Sequence, residues 1–461
     1  MRRLFITTVP VILLVGAVVV AVGQAPTPPA ESAAPSSPQS LPQSLPQSSP
    51  VGLPSSPPKV LPGMATTPLP PSVPPTPGDP PLSRFEPLAS FPVHTQNAVR
   101  GVVLGAAWMT RMHQPHGRFL YGYNPALRQP LAGDHDLKQA RGALALAQAA
   151  KFTGDEKQAT LAAQSVLALL AATRADPADP NVRVPVHSYL TCNRVGFAAL
   201  VALAIYELPG ADEKLLAEAE RLCALLRKNC RPDGSVHYTD GASEDPVKVE
   251  PAGRNAYPGL ALHALAVGNR LRPAAWKVDC VRKGLGHYRA VFRDQPHPLL
   301  AATLTPAFAE LYQQTPTPEA AAAVFEMNDW LCGLQIAGND PRTPHWAGAF
   351  RSVVDGRPGD TPPGPETGLY VASLAAACQL TRLVPDLDRH TKYKSALADA
   401  IHFLSGLQYL ETTTRHFEAT FRASMLVGGF HLTPEDGNLR IDGTANAVSG
   451  LVRFLGCGAE R

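Results

Sequence analysis

The sequence predicts an all-α protein in which six helical hairpins close into an (α/α)6 toroid behind a disordered, proline-rich linker. Two alternations point to the ring. Helices that are apolar all round alternate with two-faced ones, and tight connections alternate with long ones. The linker rests on proline: 48 of the 461 residues, most of the excess in the first fifth of the chain.

Residues 1–23 read as a targeting segment. Arg2 and Arg3 form a short basic region, an apolar run follows from Val9 to Val22, and Ala21 and Gly23 are small residues spaced as at a signal-peptidase site. Leu4 to Val22 is also nearly long enough to cross a membrane, so a cleaved signal peptide and a retained anchor both remain open. Arg2-Arg3-Leu4-Phe5 echoes a twin-arginine signal, although the strongly apolar core fits the general route. Either reading has the chain exported, to a periplasmic or extracellular location, with a membrane tether if the segment stays. From 24 to 92 the chain is mainly Pro, Ser and Gln and includes the repeat Leu41-Pro42-Gln43-Ser44, Leu45-Pro46-Gln47-Ser48. Such a stretch cannot bury enough apolar surface to offset its ordering entropy, so an extended, partly polyproline spacer is expected.

The ring occupies 93–461, and its elements follow in order. Helical periodicity marks 94–112, then 135–152 and 155–174, which are joined by the tight Phe152-Thr153-Gly154. The segment 191–208 has no polar face, running VGFAALVALAI from Val195 to Ile205, as a helix buried on all sides must. Pro209-Gly210 turns the chain into 211–230. There Leu215, Ala219, Leu222, Cys223 and Leu226 make one apolar stripe, and Glu218, Glu220, Arg221, Arg227 and Lys228 cover the other side. The pattern repeats: 255–271 is nearly all apolar from Ala256 to Val267, and 273–293, after Arg272-Pro273, is two-faced. So too with 297–314 and 317–334 around Thr315-Pro316, and with 366–384 and 389–409 around Val384–Asp388; 442–455 ends the series.

Even-numbered helices are therefore expected inside and odd-numbered ones outside. The outer-to-inner links at 113–134, 175–190, 231–254, 335–365 and 410–441 run to about 15 to 30 residues, well above the usual 4–6. In a ring of antiparallel hairpins all of them emerge at one rim, above the N-termini of the inner helices. The other rim is closed by tight turns.

Helix count and hairpin order over about 93–457 resemble the six-hairpin glycosidases and sugar epimerases. Gly117-Arg118-Phe119-Leu120-Tyr121-Gly122-Tyr123-Asn124-Pro125, followed by Asp136-Leu137-Lys138-Gln139-Ala140-Arg141-Gly142, is similar to the opening of exported bacterial toroids of that type. A weaker resemblance is to terpenoid-cyclase toroids. Trp330-Leu331-Cys332-Gly333-Leu334-Gln335, with Trp346-Ala347-Gly348-Ala349-Phe350, looks like their Gln–Trp repeats, and Phe403-Leu404-Ser405-Gly406-Leu407-Gln408 and Pro232-Asp233-Gly234-Ser235 echo it. A proton-initiated cyclase needs Asp-x-Asp-Asp. The nearest match, Asp386-Leu387-Asp388, is followed by Arg389 and falls in a tight turn.

Carbohydrate hydrolysis needs two carboxylates at an open rim, about 5–9.5 Å apart. Candidates are Asp136 (with Asp134 beside it), Glu250, Glu366 and Asp442, each near the start of an inner helix, where an acid can equally cap free amides. Glu250 and Glu366 form the preferred pair, having the longer reach. Sugars stack on aromatic faces and bond to Asn, Arg and carboxylate groups, so the substrate-binding candidates are Tyr121, Tyr123, Tyr189, Asn193, Arg194, Arg254, Asn255, Tyr257, His345 and Trp346. His187, Tyr370 and Arg440 belong to the same rim.

Other functions find less support. The formal net charge of +3, from 41 basic and 38 acidic residues, gives no concentrated basic face for nucleic acid. His113, His116 and Asp134-His135-Asp136 have no established ligand spacing, so no metal is expected, nor any cofactor. The seven cysteines sit mostly in apolar helical stretches and read as buried thiols, although export permits one or two bridges. The reading is an exported toroid acting on or binding cell-envelope or extracellular carbohydrate, as a hydrolase, lyase or epimerase-like enzyme. A non-catalytic scaffold for a polymer or protein partner, and an isoprenoid-handling ring, are the alternatives. Oligomeric state is not legible.

Overall fold

The computed structural model describes residues 87–186, 192–239, 253–338, 341–354 and 356–459. The targeting segment, the linker up to residue 86, and His187, Tyr189 and Glu250 lie outside the described residues.

All twelve expected helices are present, each end within three residues of its expected position. α1 (Val93–Met112), α2 (Asp136–Thr153), α3 (Glu156–Ala171), α4 (Arg194–Glu207), α5 (Glu213–Asn229) and α6 (Gly253–Leu271) make the first half. α7 (Ala275–Asp294), α8 (Pro298–Gln314), α9 (Pro318–Cys332), α10 (Thr367–Leu383), α11 (Leu387–Leu407) and α12 (Ile441–Phe454) make the second. Every residue of α4 from Val195 to Glu207 is buried, whereas α5 buries only Ala219, Leu222, Cys223 and Leu226. That one-sided stripe is what an outer helix needs, and the absence of a polar face is what an inner helix needs.

The inner ring closes. α2 packs on α4, α4 on α6, α6 on α8, α8 on α10, α10 on α12, and α12 back on α2. Outside it, α1 packs against both α11 and α12 and completes the circle. The chain is an (α/α)6 toroid.

The rim of long links carries short strands that the sequence did not announce. β1 (Gly122–Asn124) lies between β2 (Gln129–Pro130) and the strand before α12, Leu439–Arg440, pairing Gly122 with Arg440 and Tyr123 with Leu439. β3 (Thr173–Asp176) pairs with β4 (Asp179–Pro185), and β5 (Val353–Val354) with β6 (Arg357–Pro358). Leu439–Arg440 is β7, which ties the last long link to the first.

Four long links share one device. After α1, α5, α9 and α11 the chain makes an antiparallel bridge: His113 with Phe119, Cys230 with Val236, Gln335 with Phe350 and Gln408 with Phe430. A glycine at positive φ within each link then lies against the next outer helix: Gly117 on α3, Gly234 on α7, Gly348 on α11 and Gly428 on α1. A Cβ on Gly348 would stand 2.1 Å from the Asp399 carbonyl oxygen, and one on Gly428 equally close to that of Leu104, so only glycine fits. The two glutamines of the Gln–Trp likeness are struts in the same device. Gln335 donates to the carbonyls of Gly348 (3.0 Å) and Ala396 (2.8 Å), and Gln408 to those of Gly101 (3.2 Å) and Gly428 (3.1 Å). Asp386 caps α11, accepting from the Arg389 amide at 3.0 Å, at the tight-turn rim.

Candidate functional site

The pairing of β1 with β7 sets the first helix–loop junction beside the last. It brings Tyr121 and Lys138, from the α1–α2 region, next to Arg440 and Asp442 at the start of α12. Arg440 holds Asp442 through two hydrogen bonds, Nε to Oδ1 at 3.0 Å and Nη2 to Oδ2 at 2.8 Å. Lys138 donates to the Tyr121 hydroxyl at 2.5 Å, lies over its ring at 4.7 Å, and stands 4.0 Å from Asp442 Oδ2. Asp442 is therefore engaged by its neighbours rather than by the amides of α12, whose N-cap position has no side-chain cap.

Glu366 occupies the N-cap position of α10 and does not cap it either. Its Oε1 turns back to accept from the Gly364 amide at 2.8 Å. Gly364 and Glu366 stand beside the last long link, since a Cβ on Gly364 would meet the Leu432 carbonyl. Glu366 touches solvent, yet surrounding protein crowds it, and this desolvation raises its carboxyl above the usual range. The Glu366 and Gly364 amides and the Arg440 charge offset only part of that. A solvent-reachable carboxyl with a raised pKa, unused by its helix, has the properties of a general acid.

Below this group, on α2, Arg141 feels the charges of Asp442 and Tyr257 but makes no hydrogen bond or ion pair among the described residues, and burial lowers its pKa. Tyr257, half-buried, packs on the Gly196 face of α4 and against Tyr238, with ring centroids 6.2 Å apart. Further round the rim, Glu435 Oε1 accepts from Trp346 Nε1 at 2.8 Å and lies 2.7 Å from His345 Nε2. Burial works to raise the Glu435 carboxyl, but those bonds outweigh it and the net shift is downward. Tyr370, buried against Phe350 and beside Glu366, has its hydroxyl pushed up by burial and by that carboxylate.

The remaining expected residues have other surroundings. Asp136 binds Arg118 Nη2 at 2.7 Å, while Asp134 lies 2.7 Å from Arg118 Nε, so the two acids clamp the first loop to α2. Asn193 caps α4 through the Gly196 amide (2.9 Å) and donates to the Tyr238 carbonyl (2.7 Å). Arg194 opens α4 at its half-buried first position. Tyr123 is buried and packs on Phe421. Arg254 and Asn255 line a separate hollow of about 570 Å³ with Asp294, His297 and Val353; Arg254 bonds Gln295 there, and Asn255 Oδ1 is buried with no partner among the described residues.

Glu366, Asp442, Tyr121, Tyr257 and Arg440 are thus assembled around one part of the rim. Lys138 and Arg141 join them, and Glu435 stands further round the rim with Trp346 and His345, none of the three having been singled out from the sequence. Two cations on an inward-facing helix were a signal available in the sequence. Glu435 offered none, sitting in a loop 90 positions from its histidine.

No family model matches the chain, and no curated protein does. Solved structures do. Cellobiose 2-epimerase from Bacillus thermoamylovorans superposes with a TM-score of 0.58 at 10% identity, covering 78% of this chain and 97% of its own. Unsaturated glucuronyl hydrolase from Bacillus sp. GL1 gives 0.53 at 13% identity, covering 79% and 99%. An inactive variant of an α-1,6-mannanase from Salegentibacter sp., in complex with α-1,6-mannotriose, gives 0.53 at 10%, covering 78% and 99%. At these identities the likeness is one of fold, and that fold is the six-hairpin toroid.

Proposed function

We propose that this chain acts on carbohydrate at the open rim, with Glu366 as the proton-transferring group and Asp442, held by Arg440, as its partner carboxylate. The carrying observation is Glu366: reachable by solvent, raised in pKa by its surroundings, and free of any capping role. Tyr121 and Tyr257 stand by the pair, and Arg141 offers a guanidinium with no hydrogen-bond partner among the described residues. The fold neighbours support the reading, since those named above are an epimerase, a glucuronyl hydrolase and a mannanase. The mannanase is inactive when two aspartates become asparagine. Export belongs to the same proposal: the N-terminal segment takes the ring out of the cytoplasm, and the proline-rich stretch holds it away from the membrane if that segment is retained.

A panel of oligosaccharides, uronic-acid disaccharides and reducing disaccharides tests the activity. Wild type should turn over a member of one class, and Glu366→Gln should lower kcat at least about a hundredfold, as loss of a general acid does. Full turnover by Glu366→Gln would remove the assignment. Binding without turnover by wild type would make the ring a non-catalytic carbohydrate scaffold. Cell fractionation tests export: recovery of the chain in the cytoplasm would contradict it.

A further inference from the structure

The axis of the ring is not solid. A cavity of about 110 Å³ runs between the inner helices, from Arg141 and Leu260 beneath the open rim down to Gln148, Glu310 and Arg453. Ala302, Ala309, Ala372, Ala375 and Ala376 line it and leave the space that larger side chains would fill. At the tight-turn rim it meets a wider hollow of about 530 Å³, inside the range of roughly 300–1,000 Å³ typical of small-molecule sites. The two share Gln148, Glu310, Gln313, Gln379 and Arg453.

All six inner helices supply a polar side chain to this hollow near their C-terminal ends: Gln148, Glu207, Arg270, Gln313, Gln379 and Arg453. Each charge there already has an ionic partner, three cations being shared between two carboxylates. Glu207 lies between Lys151 (3.0 Å) and Arg453 (2.9 Å), and Glu310 pairs with Arg270 (3.1 Å). The carboxamides are not all satisfied. Gln148 is only 6% exposed, lines both spaces, and its Oε1 has no hydrogen-bond partner among the described residues. Ser449 Oγ, on the wall of the axial cavity, is buried and likewise has no partner among the described residues. Such atoms cost free energy until a donor reaches them. His263, on the same wall, is held neutral, its pKa pushed down to about 3 by burial and by Arg453.

We propose that this closed-rim hollow is a second binding site, for a neutral polyhydroxylated molecule of monosaccharide size, with Gln148, Gln313 and Gln379 as its hydrogen-bonding groups. Neutrality follows from the surroundings. Six helix C-termini turn the negative ends of their dipoles towards the hollow and disfavour an anion, while the cations already present are committed to Glu207 and Glu310. Hydroxyls both donate and accept, as carboxamides do, so a polyol satisfies Gln148 without bringing charge. The site lies at the opposite end of the inner helices from Glu366 and Asp442, and the proposal does not depend on the open-rim reading.

The test is ligand-observed NMR on the full chain with D-glucose, D-mannose and myo-inositol. Wild type should bind at least one. The double variant Gln313→Ala/Gln379→Ala, altered only at exposed side chains, should weaken that binding about tenfold or more, equivalent to about 1.4 kcal/mol. Gln379→Trp, which fills the mouth, should abolish it, with thermal unfolding unchanged in both variants. Three results each overturn the proposal. One is that wild type binds none of the three probes. Another is that the double variant binds as wild type does. The third is that binding responds to Glu366→Gln and not to Gln379→Trp, which places the sugar at the open rim.

Discussion

Glu366 is crowded enough to hold its proton more tightly than a free carboxyl does, and that shift has a sign that separates catalysis from capping. Its folded-state pKa is raised above the ordinary 4.5. Its contribution to stability is therefore complete below pH 4.5 and is lost as pH rises through the raised value. At neutral pH the ionised carboxyl is a burden on the fold. Glu366→Gln should thus unfold at the same temperature as wild type or higher at pH 7, and the difference should shrink in acid. A helix cap behaves oppositely, and its removal costs about 1 kcal/mol. Calorimetry of the pair at both pH values decides between them. Among the described residues, Arg440 is the charge that lowers Glu366. Arg440→Gln should therefore move the alkaline fall of activity to higher pH; an unmoved profile would show that the guanidinium does not reach the acid.

At the scale of elements, the glycine that seats each long link on the next outer helix is the sharpest local requirement. Gly428 combines φ of +97° with a Cβ position 2.1 Å from a backbone oxygen of α1. Gly428→Ala adds positive-φ strain of about 1–3 kcal/mol to that clash and should lower Tm accordingly. The exposed turn glycine Gly210, at φ +71° with nothing near its Cβ, should pay only the strain. Equal losses at the two positions would mean that the seat is loose. A second element-scale expectation concerns Cys230, at the end of α5, and Cys280 in α7, whose thiols are within hydrogen-bonding reach. The described chain holds its cysteines free. Treatment with diamide, which takes up the two protons and two electrons, should join these two, and peptide mapping would find the bridge.

Legibility followed element length. The helices were readable because 14 to 21 residues give periodicity several turns to show itself. The rim strands were not, because two to seven residues leave too little alternation to read, and β1 in addition pairs with β7 more than 300 positions away. Glu366 and Asp442 were readable from position alone, each at the start of an inner helix. Asp136 looked identical and is committed to Arg118, a partner 18 positions earlier that no spacing rule identifies. Arg141 was hidden within a resemblance quoted for its neighbours, although a cation on an inner helix is conspicuous once the helix is known to face the axis.

For the whole molecule, the consequential feature is the seam where α1 meets α11 and α12. Trp108 Nε1 donates to the Met425 carbonyl at 2.8 Å, and Arg111 Nε to that of Ser424 at 3.1 Å, across more than 300 positions. His94 and Phe454, at the two ends of the ring, have centroids 5.8 Å apart. Every other hairpin meets its neighbours locally, so the long-range entropy of assembly is concentrated in this one closure. The ends of the ring can therefore be joined and the chain opened elsewhere. A permutant of residues 93–459 that starts at Ala211, with a short linker from Ala459 to Val93, should keep the helix content and the cooperative transition of the native order. Its refolding should be slowed or sped according to where the last gap now falls. The order of hairpins decides which neighbours touch, but it gives the ring no obligatory beginning.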